Sequence, residues 1–221
     1  MLRMMAMSST MRAVYGSRLL RTLLTLSTAL NLFYGAFIVV FVVYAVRVLQ
    51  LSPIRLGIVV GAAAVGGLAG ALLSTRVRAA LRLGRAVAVA TIGVSTAPLL
   101  LLIPRDGGLL SMTVLITAQL CYGISIAMFN VNAITLRQVV TPKRVLARMN
   151  ATYRMLLFGS PLFGAMAGGL LGSAVGLRSA LVISVITMIS PALWIPFAPV
   201  FRLTEMPLGP AGPPGPPGPQ S

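Results

Sequence analysis

Six stretches free of Asp, Glu, Lys and Arg divide the chain: 23–46, 56–75, 86–103, 109–136, 155–177 and 179–201. Each has about 18 residues or more, the length a helix needs to cross a hydrocarbon core of about 30 Å. Closed β-barrels are the only other spanning solution, and they would show short segments of alternating polar and apolar residues. Unbroken runs rich in Leu, Ala, Val and Gly instead predict helices. The expected fold is therefore all-α, a membrane protein with six transmembrane helices.

The polar positions between the runs carry the topology. Arg3, Arg12, Arg18 and Arg21 precede the first span. Arg76, Arg78, Arg82 and Arg85 follow the second, and Arg137, Lys143, Arg144, Arg148 and Arg154 follow the fourth. With Arg202 in the tail these segments hold fourteen cations, whereas the alternate loops hold four, Arg47, Arg55, Arg105 and Arg178. Short loops rich in Arg and Lys stay in the cytoplasm, so both termini are expected there, in a bacterial inner membrane. The first apolar run is longer than a signal-peptide core and has no evident cleavage site. Three regions follow: a cytoplasmic lead-in over 1–21, a six-helix bundle over 22–203, and a Gly/Pro-rich tail over 204–221. The tail's four collagen-type triplets, beginning at Gly209, Gly212, Gly215 and Gly218, favour extended polyproline geometry and are expected to be disordered.

Composition narrows the function. The net charge of +16 by itself suggests a nucleic-acid partner. A charged fraction of 9% and a mean hydropathy of +0.96 leave no polar shell to dissolve such a chain, against about 25% charged residues in soluble domains. The acids are Asp106 and Glu205, and histidine is absent. That excludes paired-carboxylate chemistry, Ser-His-Asp and Cys-His arrangements and His-containing zinc sites, so neither an enzyme nor a metal or other cofactor is expected. Cys121, alone in an apolar stretch, reads as a buried, inert thiol.

Glycines repeat every fourth residue at Gly57/Gly61 and Gly66/Gly70, and as a stripe over Gly164, Gly168, Gly172 and Gly176 after Gly159 and Pro161. Small residues at this spacing let helices approach closely in lipid, and Gly or Pro inside a bilayer can also act as a hinge.

The run from Phe129 through Asn130, Asn132 and Arg137 to Thr141 and Pro142 resembles the fourth helix and following loop of the C-terminal half of major facilitator superfamily transporters. The stretch Arg148 to Arg154, then Gly159, Pro161, Gly164, Gly168 and Gly169, fits the same place. The segment Arg76, Arg78, Arg82, Gly84 and Arg85 is similar to the superfamily's basic loop between the second and third helices of a half, without its acidic residue. The resemblance covers 15–205 and leans toward bacterial macrolide and enterobactin exporters. It implies one six-helix half of a carrier that alternates between inward-open and outward-open states, with a substrate site near the midplane facing the other half. The chain would then need an N-terminal six-helix half or a second subunit, besides membrane lipid and a small-molecule substrate; no nucleic-acid partner is implied. The alternative is a truncated, non-transporting protein that packs with or regulates another membrane subunit.

Helical geometry places Ser27, Thr28, Asn31, Tyr34 and Gly35 within about 60° of Asn31 on the first span. Gln119, Tyr122, Asn130 and Arg137 fall within about 80° of one another on the fourth. In the resembled family these helices line the cavity. Asn31, Tyr34, Gln119, Tyr122, Asn130, Ser27 and Thr28 are thus candidates to meet substrate, and the alternative is interhelical hydrogen bonding. Asn132 points away, toward a helix contact. Arg76, Arg78, Arg82, Gly84, Arg85 and Arg137 are candidate gating residues on the cytoplasmic side. Gly159, Pro161, Gly164, Gly168 and Gly172 are packing or hinge candidates. No acid lies inside a span, so proton-coupling groups are expected on the other half. The largely apolar walls suit a lipophilic or amphiphilic substrate.

Overall fold

The computed structural model describes residues 18–140 and 143–195; the lead-in up to residue 17 and the Gly/Pro tail lie outside them. The elements are α1 (Arg18–Arg47), α2 (Pro53–Thr96), a 3-10 turn (Ala97–Leu102), α3 (Leu109–Val140), α4 (Lys143–Val175), α5 (Leu177–Thr187) and the single turn α6 (Ser190–Leu193). No strand occurs among the described residues. Among the described residues, five helical stretches are long and apolar enough to cross a membrane, 20–47, 53–81, 83–102, 109–138 and 153–175, with a shorter apolar helix over 177–193. The expected last span, 179–201, is described only to Ile195. Within it the helix is interrupted at Met188 and Ile189 before Pro191 starts a new turn.

The connections carry ordinary stop and start signals. Ser52 caps α2 by accepting from the Arg55 amide at 3.4 Å, and Pro53 follows at the first helical position, where its missing N–H costs nothing. Gly176, at φ 82°, makes the turn between α4 and α5, a conformation that glycine reaches without strain.

One expectation is corrected. The basic stretch 76–85, expected as a loop, is helical throughout, within α2. The axis nevertheless turns back at Arg82. Gly70 lies against Ile124 of α3, and Gly93 lies against Ser125. Twenty-three residues of straight helix would separate those contacts by about 35 Å, so α2 comprises two limbs meeting near Arg82, beside buried Gly84. The first limb runs parallel to α3: Gly66 meets Leu120, Gly70 meets Ile124, and Ser74 meets Asn132. α1 and α4 are likewise parallel, with Gly35 on Pro161, Leu32 on Gly164 and Ala36 on Gly168.

These pairings gather the start of α1, the bend of α2, the end of α3 and the start of α4 at one end of the bundle. The turns 48–52 and 103–108 share the other end, where Arg55 Nη1 donates to Gly107 O at 3.2 Å. The described parts of the cation-rich segments therefore share one end. The interior is filled by Leu26, Leu30, Phe37 and Phe41 of α1, Val87 and Val94 of the second α2 limb, Leu115 and Phe129 of α3, and Leu181 and Val185 of α5. The second α2 limb is the most buried span and α4 the least; Met155, Phe158, Leu162, Phe163, Met166 and Leu170 of α4 are exposed. Such exposure is unpenalised in lipid, whose tails are as apolar as leucine.

Cys121 is a second correction, being exposed rather than buried. It sits one residue before Tyr122, whose ring takes the inward direction, and the 100° step turns the thiol outward.

Candidate substrate cavity

At the basic end, α1, α3 and α4 part around a cavity of about 860 Å³, within the range of small-molecule sites. Asn31 of α1 lines it, with Asn130, Ile134, Arg137 and Gln138 of α3, and Asn150, Tyr153, Arg154, Leu157 and Phe158 of α4. Parallel packing of α1 on α4 brings Ser27 to Tyr153, and the two hydroxyls share a short hydrogen bond. The Tyr153 hydroxyl also approaches Leu23 O at 3.2 Å. So held, the Tyr153 ring forms a platform for Arg137, whose guanidinium carbon lies 4.0 Å from the ring centroid, a cation–π contact. Asn31 turns its amide back to Ser27 O at 2.8 Å.

The expected lining residues separate into two groups. Asn31 and Asn130 face the cavity, and Ser27 supports its Tyr153 wall. Tyr34 and Tyr122 instead stack on each other, centroids 5.1 Å apart and planes 8° from parallel, joining α1 to α3 outside the cavity lining. Gln119 is buried beside them with its Oε1 unpaired, and the half-buried Thr28 has an unpaired Oγ1. Asn132, facing away, donates to Ser74 Oγ at 3.3 Å and Met128 O at 2.8 Å, the helix contact its angle implied. Among the gating candidates, Arg137 is in the cavity. Arg76 and Arg85 are exposed on α2, Arg78 is half-buried and Gly84 buried; the side chain of Arg82 is outside the described set. Of the glycine stripe, Gly164 and Gly168 press on α1 backbone. Gly159 has open space where a Cβ would stand, and Gly172 has ordinary contact with Leu177 alone.

A sequence profile of the family described as transmembrane secretion effector matches residues 3–210. The chain belongs to that family, within the major facilitator superfamily. No curated protein and no solved structure matches it.

Family membership and helix content make this a multi-pass membrane protein of transporter type, with an all-α fold that has the organisation of a major facilitator half. In this secretion-effector chain the α4 contribution to the cavity was missed at the sequence level. Asn150, Tyr153 and Arg154 fall at i, i+3 and i+4, one helix face. That spacing was a usable signal, obscured because these residues precede the apolar run and Arg154 reads there as a topology charge.

At the opposite end, Asp106 Oδ1 accepts from Ser111 Oγ at 2.7 Å and from the Gly108 amide at 3.1 Å. The Ser111 hydroxyl first, then the Gly108 N–H, holds the Asp106 carboxyl below its usual pKa of 3.8. Ionised and beside the first turn of α3, it complements the positive end of the helix dipole.

Proposed function

We propose that the chain is the C-terminal six-helix half of a secondary active exporter of the bacterial inner membrane, with both termini in the cytoplasm. Its relatives on this reading are the macrolide and enterobactin exporters. The bundle rocks against an N-terminal six-helix half or a second subunit and exposes the cavity alternately to the two sides. The cargo is a lipophilic or amphiphilic small molecule.

The supporting observation is the cavity between α1, α3 and α4, large enough for such a molecule, lying toward the end where the cationic segments collect and walled by Ile134, Leu157 and Phe158 as well as polar groups. Basic segments face the cytoplasm, so on this reading the cavity lies toward the inward side. Asp106 is the one acid among the described residues and lies in the turn at the far end, which supports placing the coupling group on the other half.

The deciding experiment co-expresses the chain with an N-terminal six-helix half, such as one encoded by a neighbouring reading frame, in cells lacking their major exporters. Accumulation of lipophilic dyes and antibiotics is measured for the pair and for each half. Reduced accumulation with the pair only is the expected result. Active extrusion by this chain alone would refute the placement of coupling. No extrusion by the pair, when both halves insert and associate, favours the alternative of a non-transporting subunit that regulates its partner.

A further inference from the structure

Arg137 and Arg154 open onto one cavity, and no carboxylate is among the described residues that line it. Asp106, the one acid among the described residues, precedes the N-terminus of α3, and Arg137 lies 28 residues beyond Leu109 on that helix, about 42 Å away along its axis. Glu205 is outside the described residues. Arg137 is half-buried, and its Nε is fully buried with no hydrogen-bond partner. The guanidinium lies over the Tyr153 ring face, which holds it in position and leaves the buried Nε–H unsatisfied. An unpaired charge within a membrane protein is costly. Beside it, Ile134, Leu157 and Phe158 give the same cavity an apolar wall.

We infer that this cavity takes the anionic group of an amphiphile, a carboxylate, sulfonate or phosphate, on Arg137 and Arg154, with the apolar body along Ile134, Leu157 and Phe158. The inference deepens the export reading by giving the cargo a charge. Tyr153 is a positioning residue: Ser27 and Leu23 fix its hydroxyl, and its ring fixes the guanidinium whose fork meets the anion. The same chemistry is offered by a diffusible substrate and by an anionic lipid headgroup.

The full chain in phosphatidylcholine nanodiscs is titrated calorimetrically with 2-naphthalenesulfonate and with 2-naphthol as the neutral counterpart. Saturable sulfonate binding that weakens with salt and exceeds naphthol binding is expected. Arg137→Gln should weaken it at least about tenfold, Arg137→Lys less, since it keeps the charge but loses the fork. Arg154→Gln, at the exposed rim, weakens it by a smaller factor and serves if Arg137→Gln does not fold. Arg178→Gln at the opposite end and Glu205→Gln in the tail should leave affinity unchanged. Replacing part of the lipid with phosphatidylglycerol separates the two sources. Undiminished sulfonate affinity identifies a diffusible anion, and competition by the lipid, abolished in Arg137→Gln, identifies a headgroup; either keeps the anion site.

Equal binding of naphthol and sulfonate would overturn the inference. So would parental affinity in a folded Arg137→Gln, or tighter binding in Glu205→Gln, which would make the tail the counter-ion. Equilibrium binding needs no transport. Binding without extrusion by the assembled pair refutes the export reading alone, and extrusion unaltered in Arg137→Gln for an anionic cargo refutes this one alone.

Discussion

Two glycine pairs with the same spacing lie on the first limb of α2, and their surroundings differ sharply. A Cβ at Gly61 or Gly57 would meet nothing within 4 Å. At Gly70 it would stand 2.8 Å from the carbonyl carbon of Ile124 and 2.7 Å from its Cα. The Ile124 carbonyl oxygen would stand closer still, and ordinary contact begins near 3.4 Å, so Gly70→Ala must move α2 from α3 by about 1 Å. A gap of that size forfeits about half of each affected dispersion contact. With roughly 20–30 heavy-atom pairs at the crossing, each worth about 0.1–0.2 kcal/mol, the loss is on the order of 1–3 kcal/mol, the usual scale of overpacking. Both substitutions gain helix propensity of up to about 1 kcal/mol, so their difference isolates packing. In mixed micelles titrated with dodecyl sulfate and followed by circular dichroism, Gly61→Ala is expected neutral or stabilising. Gly70→Ala should unfold earlier by about 1–3 kcal/mol relative to it. Free energies within about 0.5 kcal/mol of each other would refute the α2–α3 contact as the crossing that holds this pair of helices.

Further outcomes follow from the other pairings. Asn132→Ala and Ser74→Ala should each cost about 0.6–1.7 kcal/mol, the range of hydrogen bonds inside membrane bundles; a double-mutant cycle in the same assay should give a coupling energy, and additivity would exclude the bond. Tyr153→Phe keeps the ring under Arg137 but frees Ser27 and Leu23 O, so a loss of about 1 kcal/mol is expected with sulfonate binding weakened but not abolished. The Asp106 carboxyl is held below 3.8, so its contribution is present above the unfolded pKa and is lost as the pH falls through the folded value. Asp106→Asn should therefore lower the unfolding midpoint at pH 7, with the difference from the parent shrinking below pH 3.8. Cys121→Ala, at an exposed position, should change stability by less than about 0.5 kcal/mol.

The apolar runs were legible because membrane helices have no other way to satisfy their backbone, so length and absence of charge suffice. The state of residues 76–85 was not. Their arginines mark a membrane boundary, but Ala79, Ala80 and Leu81 are strong helix formers, and charge says nothing about whether backbone hydrogen bonds continue. Gly57/Gly61 and Gly66/Gly70 have identical spacing, so only the neighbouring helix distinguishes the open pair from the packed one. Asn31 and Tyr34 share an angular face, yet the aromatic partner of Tyr34 on α3 and the approach of α4 to Asn31 depend on non-local packing. The cavity's α4 wall was hidden for a related reason: Asn150, Tyr153 and Arg154 acquire a purpose only once α1 and α4 are parallel.

That parallel packing also determines where the bundle can yield. α1 and α4 meet backbone to backbone at Gly35, Gly164 and Gly168, and α2 and α3 do so at Gly66, Gly70 and Gly123. Contacts this close have no slack, because separating the helices loses every dispersion partner along the crossing at once. Between the two pairs the joints are of another kind. Tyr34 stacks on Tyr122, and Arg137 lies over Tyr153. An aromatic stack can slide, and a guanidinium can shift across a ring face while retaining much of its attraction. The cavity occupies this softer seam, with Asn31, Tyr153 and Arg154 on the α1–α4 side and Asn130 and Arg137 on the α3 side. A ligand bridging the seam therefore acts on these sliding joints, and on the proposed reading its charge meets Arg137, a side chain already shared between the two pairs.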